Sequence, residues 1–252
     1  MTTSMQDLIR QFNTVLLLLM CSIPVQADIS AAALPLTLRL NDTNEPPLTT
    51  AQHDGFLDII ATETFARVGI KLKLIKLPAE RALLNANAGI DDGELTRIAG
   101  LEKLYPNLVR VPEKLIDWEF TAFAKTTAIP ANWQDIRRHV VGHITGWKIY
   151  EQQLGGDSHV VSTANPAQLF QLLDRNHIEV ALYARWMGQA FIQKMGLKGI
   201  HRLSPNLSRR QMYIYLNKRY TRVIPKITAS LQALKREGFY ERIRQEKLAQ
   251  YQ

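Results

Sequence analysis

Arg81, Arg97 and Arg185 are the residues of this chain with the most to offer a ligand. A guanidinium fork binds a carboxylate or phosphate through two parallel hydrogen bonds. All three are expected at loop or helix ends facing a cleft, where helix N-terminal amides add donors for the same anion. Trp118, Trp147 and Tyr183 could wall such a place with ring faces. Together they point to an acidic or aromatic-acid ligand. Each also has a plainer reading: Arg81 on a solvated helix face, Arg185 paired with an acid, Trp118 and Tyr183 in the core.

Other chemistry is thinly represented. The sequence has no Gly-x-Ser-x-Gly elbow, no phosphate-binding glycine loop and no His-Glu-x-x-His pair. His139 and His143 are four apart, but Val140-Val141-Gly142 between them reads as strand and no third ligand is in view, so no metal site is expected. Asp91, Asp92 and Glu94 form an acidic cluster best read as a turn before a strand. No cofactor is expected. A cleft enzyme, such as a dehydratase, is the weakest of the function classes.

The 252 residues are 46% hydrophobic and 21% charged, which fits folded domains and excludes a disordered chain. No stretch reaches the roughly 18 to 20 apolar residues of a membrane span. Arg10, the apolar run Val15 to Cys21, Pro24 and Ala27 describe a cleavable signal peptide over residues 1–27. A buried helix, or a lipid anchor on Cys21, are the alternatives; Met20 before the cysteine argues against the second. Cleavage after Ala27 removes the one cysteine, so a periplasmic protein held by its core is expected. Residues 28–200 carry 18 bases and 19 acids, whereas residues 201–252 carry 12 bases and 3 acids. The basic tail reads as a solvated helix face, with a membrane surface or membrane partner as the alternative; no nucleic acid is expected.

The elements follow from hydrophobic period. Thr37 to Asn41 and Ile70 to Leu74 alternate as strands, and Gly55 to Val68 carries a helical stripe of Leu57, Ile60, Ala61, Phe65 and Val68. Pro78 opens a second helix to about Ala88. Further strands are predicted at 108–111, 118–124, 140–144, 160–161, 178–183 and 211–216. Helices are predicted at 148–154, 166–175 (capped by Ser162 or Thr163), 186–195 and about 222–237, with a short terminal helix. Two α/β blocks of similar size result, joined by the β runs 118–124 and 211–216. Such blocks leave a cleft at the carboxyl ends of their parallel strands.

Pro78 to Leu83, Asp92-Gly93-Glu94, Tyr105 to Leu108, Tyr215 to Lys218 and Leu234 to Ile243 occur in an order that resembles the periplasmic solute-binding proteins of family 3. This is the type that serves amino-acid ABC importers. The resemblance runs from about Leu36 to Lys247. It implies a type II periplasmic binding fold, two Rossmann-like lobes on a two-strand hinge, with lobe one at 34–121 plus 210–252 and lobe two at 124–208. It also implies an arginine shortly after the third strand of lobe one that holds the ligand's carboxylate, for which Arg97 is the nearest match. In lobe two it implies a Gly-Thr pair on the same group, matched by Gly146 but with Trp147 in place of Thr. The acid that pairs with a ligand's amino group falls at Ala184, next to Arg185. An ordinary zwitterionic amino acid is therefore not the expected ligand, since an unpaired buried ammonium costs several kcal/mol.

The resulting expectation is a monomeric, non-enzymatic receptor that captures a small polar or anionic ligand and delivers it to ABC permease subunits. The alternative is a periplasmic sensing module for a membrane partner.

Overall fold

The computed structural model describes residues 36–156 and 159–251; the expected signal peptide lies outside them. The chain begins as β1 (Leu36–Asp42), α1 (Phe56–Ala66), β2 (Ile70–Lys76), α2 (Ala79–Ala88) and β3 (Gly93–Ile98). β1 pairs in parallel with β2 and β3. The predicted stripe of α1 is buried, from Phe56 and Leu57 through Ile60 and Ala61 to Phe65. Next come β4 (Leu108–Arg110), β5 (Ile116–Ala124), α3 (Trp133–Ile136), β6 (Val141–Ile144) and α4 (Lys148–Leu154). They are followed by β7 (Val160–Thr163), α5 (Pro166–Asp174), β8 (Val180–Ala184), α6 (Arg185–Met195) and β9 (His201–Arg202). The chain ends with β10 (Ser208–Asn217), α7 (Ile224–Arg236) and α8 (Phe239–Leu248).

The strand order is β2-β1-β3-β10-β5-β8-β6-β7. The outer pairings are parallel, as strand–helix alternation requires. The central ones are antiparallel: β10 to β3, β10 to β5 and β5 to β8. Residues 116–120 pair with 208–212, and residues 120–124 pair with 180–184. So β5 and β10 are the two crossing strands, and an α/β lobe lies on each side of them.

Three local expectations are corrected. The cap of α5 is Asn165, whose side chain accepts from the Gln168 amide at 2.9 Å. Ser162 and Thr163 are held in β7 by their pairing with His143 and Ile144. The long C-terminal helix starts at Ile224, after a 3-10 turn over Lys218–Val223, with a proline in its first turn. Arg97 lies inside β3, not after it.

The C-terminal helices α7 and α8 pack on α1. Ser230 Oγ donates to the Thr64 carbonyl at 2.8 Å, Tyr240 OH to the Leu115 carbonyl at 2.8 Å, and Arg67 pairs with Glu237 at 2.7 Å. Ile227, Leu231 and Leu234 are buried while Arg222, Lys226, Arg236 and Arg242 are exposed. The basic tail is thus the solvated face of packed helices.

Candidate ligand-binding cleft

The loops after β1, β2, β6 and β7 converge at the carboxyl ends of the parallel strands. Asp42, Thr43, Glu45, Lys76 to Ala79, Ile144, Trp147, Ala164 to Pro166 and Tyr183 line a cavity of about 300 Å³ there. Trp147 also borders a smaller cavity of about 30 Å³, with Thr96, Arg97, Trp118, Phe120 and Gly146. That is room for about one water molecule. The buried Trp118 Nε1 beside it has no hydrogen-bond acceptor among the described residues, so the smaller cavity suits an acceptor atom.

Trp147 is the centre of an aromatic cluster. Its ring stacks on Tyr183 at 4.8 Å and on Tyr150 at 5.9 Å, and meets Trp118 at 5.3 Å. Phe120 meets it edge-on at 6.1 Å. Three of the aromatics singled out in the sequence therefore do come together. Tyr150 is fixed by its hydroxyl, which donates to the Tyr183 carbonyl at 2.8 Å.

Gly146 holds the turn before α4 with φ +84°. A side chain there is excluded twice, by that left-handed backbone and because a Cβ would lie 2.6 Å from the Glu80 amide nitrogen. The β6–α4 turn is thus pressed directly on the start of α2. Lys148 adds an ion pair across the same seam, 2.7 Å from Glu80. The Glu45 amide lies 3.1 Å from Met187 Sδ on α6.

Arg97 reaches the wall of the smaller cavity but is already engaged. Its Nε donates to Glu94 Oε2 at 2.7 Å and its Nη2 to the Ala79 carbonyl at 3.0 Å. Residues three apart in a regular strand face opposite sides. Here β3 has one residue more than β10 between the pairs Tyr213–Arg97 and Tyr215–Glu94, and this bulge lets the two side chains meet. Burial pushes the Glu94 carboxyl up from 4.5 to about 7, against the pull of Arg97 and Asn41. Between those two pH values the folded chain keeps a proton that the unfolded chain releases. Stability therefore falls as pH rises from about 4.5 to about 7, and the contribution is level above that. Glu94→Gln is expected to remove this part of the slope, on the order of a few kcal/mol. Urea unfolding of both proteins across the window measures it, and parallel stability curves would contradict it.

The other two arginines stand apart. Arg81 is exposed on α2 and lines neither cavity. Arg185 opens α6 and pairs with Glu119 at 2.7 Å. Glu119 points to the opposite face of β5 from Trp118 and Phe120, into a separate cavity of about 560 Å³. The three guanidinium groups do not converge on one point. His143 is buried and bonded through its ring to the Ile144 carbonyl and Ser162, and His139 pairs with Glu179. Among the described residues no group of three His, Cys, Asp or Glu is disposed to hold a metal ion.

The sequence reading missed Asp42, Glu45, Lys76 and Asn165. Asp42 is buried and pairs with Lys76 at 2.8 Å. The signal was present, since all four sit within a few residues of the carboxyl end of a strand, where ligands bind in such sheets.

The type II periplasmic binding fold is shared with many solved structures. The P235GK mutant of the arginine-binding protein ArgBP from T. maritima superposes with a TM-score of 0.72 at 18% identity, covering 84% of this chain and 95% of that one. A histidine kinase sensor domain with similarity to periplasmic binding proteins gives 0.72 at 18%, again over 84% and 95%. AbpA from Streptococcus pneumoniae, an amino-acid ABC transporter substrate-binding protein bound to L-arginine, gives 0.69 at 13%, over 85% and 94%. By sequence, an uncharacterised protein of Shewanella oneidensis is 24% identical over 225 residues, 83% of this chain and 85% of its own length. No family model matches the chain.

Proposed function

We propose that this protein is a periplasmic receptor that captures a small polar molecule between its lobes and delivers it to the membrane subunits of an ABC-type importer. The observation that carries this is the cleft itself, where aromatic and ionic groups from both lobes meet at the strand ends. The division into lobe one (34–121 plus 210–252) and lobe two (124–208) is supported by the crossing strands β5 and β10. In this reading ligand touches both lobes only when they are shut, so binding shifts the open–closed population and creates the surface that the membrane partner recognises. The protein acts as a monomer, without turnover. A second reading, delivery to a membrane sensor, is favoured by the likeness to a kinase sensor domain.

The test uses residues 28–252 against a panel of amino acids, amines, organic acids and sugars. A true ligand is expected to raise the melting temperature, alter tryptophan fluorescence through the Trp147–Trp118 pair, and be recovered chemically unchanged. Its consumption would make the protein an enzyme; an unchanged scattering envelope and fluorescence with every compound would remove the receptor reading.

A further inference from the structure

Each cation on the cleft walls is already bound to a carboxylate of this chain. Lys76 lies 2.8 Å from Asp42, donates to Thr49 Oγ1 at 2.8 Å, and also donates to the Asn44 carbonyl. Arg97 is held by Glu94 and the Ala79 carbonyl. Lys148 is shared by Glu80 at 2.7 Å and Glu151 at 3.0 Å. Even the Gly146 amide at the turn before α4 is taken, by Glu151 Oε1 at 2.6 Å. A ligand carboxylate entering here would have to displace an internal one. Displacing Glu94 or Asp42 would leave a buried carboxyl without its partner.

The anions do not balance in the same way. Glu45 lines the 300 Å³ cavity, half-buried, and among the described residues its carboxylate makes no hydrogen bond or ion pair. Burial raises its pKa, Lys76 and Lys194 pull it down, and Asp42 raises it further. The same cavity is lined by Trp147 and Tyr183, whose rings stack on each other at 4.8 Å and give an apolar wall for the carbon chain of an organic ion. A cationic group placed there meets an unpaired carboxylate without breaking any existing ion pair.

We propose that the cleft takes a small organic cation without a carboxylate, an amine of the kind left when an amino acid loses its carboxyl group, with Glu45 as its counter-ion. The inference rests on the receptor reading and narrows it to one ligand class. Glu45 and the internally bound Arg97 are then the specificity-determining residues.

Four matched pairs test it by calorimetry: agmatine with arginine, cadaverine with lysine, putrescine with ornithine, histamine with histidine. At least one amine is expected to bind, with its amino acid weaker by about tenfold or more. Glu45→Gln is expected to weaken that amine by about tenfold or more while the free protein keeps its melting temperature. In Glu94→Gln, where Arg97 is released, the amino-acid partner is expected to gain on its amine. The inference is overturned if the amino acid binds as well as its amine, if none of the four amines binds, or if Glu45→Gln leaves the affinity unchanged. Should an organic acid or amino acid bind and shift the fluorescence, the receptor reading stands and the amine inference alone falls. Silence from every compound in the wider panel removes both.

Discussion

Gly146→Ala is expected to weaken ligand capture by about a hundredfold while each lobe stays folded. The added methyl would sit 2.6 Å from the Glu80 backbone nitrogen, and both sides of that contact are main chain, so no rotamer relieves it. The φ of +84° adds about 1 to 2 kcal/mol of backbone strain for a residue with a Cβ. A rigid-body parting of the lobes removes the clash at once, because Gly146 belongs to the β6–α4 turn and Glu80 to α2. Stability should therefore fall only by about the backbone term, whereas the shut form should become rare. Affinity scales with the fraction of molecules able to shut, so a loss of about a hundredfold is expected. X-ray scattering should report a larger radius of gyration, with a melting temperature lowered by only a few degrees. Unchanged affinity would mean that this contact is not at a moving seam.

Trp147→Ala should have the opposite balance, a large cost in stability. The ring is 6% exposed and touches Tyr150, Tyr183, Trp118 and Phe120, so its removal forfeits burial and leaves a void that these stiff neighbours cannot fill. Loss of a buried aromatic of this kind costs about 3 to 5 kcal/mol. The two cavities that Trp147 borders would also merge, exposing the Trp118 Nε1 donor to larger ligands. Denaturant unfolding measures the first effect and a ligand screen the second. A variant as stable as the parent would show that the ring is held loosely.

Much of the fold is legible in the sequence because it is written in local periods. The alternation in Leu38 and Leu40, the stripe of α1 and the glycines after α2 and α6 each reflect a rule spanning a few residues. The β runs around 118–124 and 211–216 could be recognised as crossings because the first leads from one α/β block into the other and the second is a candidate for the return. Placement within the cleft is another matter. Glu94 and Arg97 meet only because β3 bulges against β10, a feature fixed by pairing with residues far along the chain. The pleat of β5 puts Glu119 on the opposite face from Trp118 and Arg185 pairs with it there, so that a residue next to a strand end lands on the wrong face. Glu45 carries no pattern of its own. Its importance emerges only once Lys76, Arg97 and Lys148 are each seen to have a carboxylate already.

The position of β10 between β3 and β5 has a consequence for biosynthesis. As the chain emerges from its N-terminus, β3 is left with a bare edge until the whole intervening block has been made. The pairings of β6 with β7 and β8 need no strand made later than β8. The middle of the sheet must wait for the last strand, so a nascent molecule cut short before residue 208 would leave β3 and β5 without the partner they share.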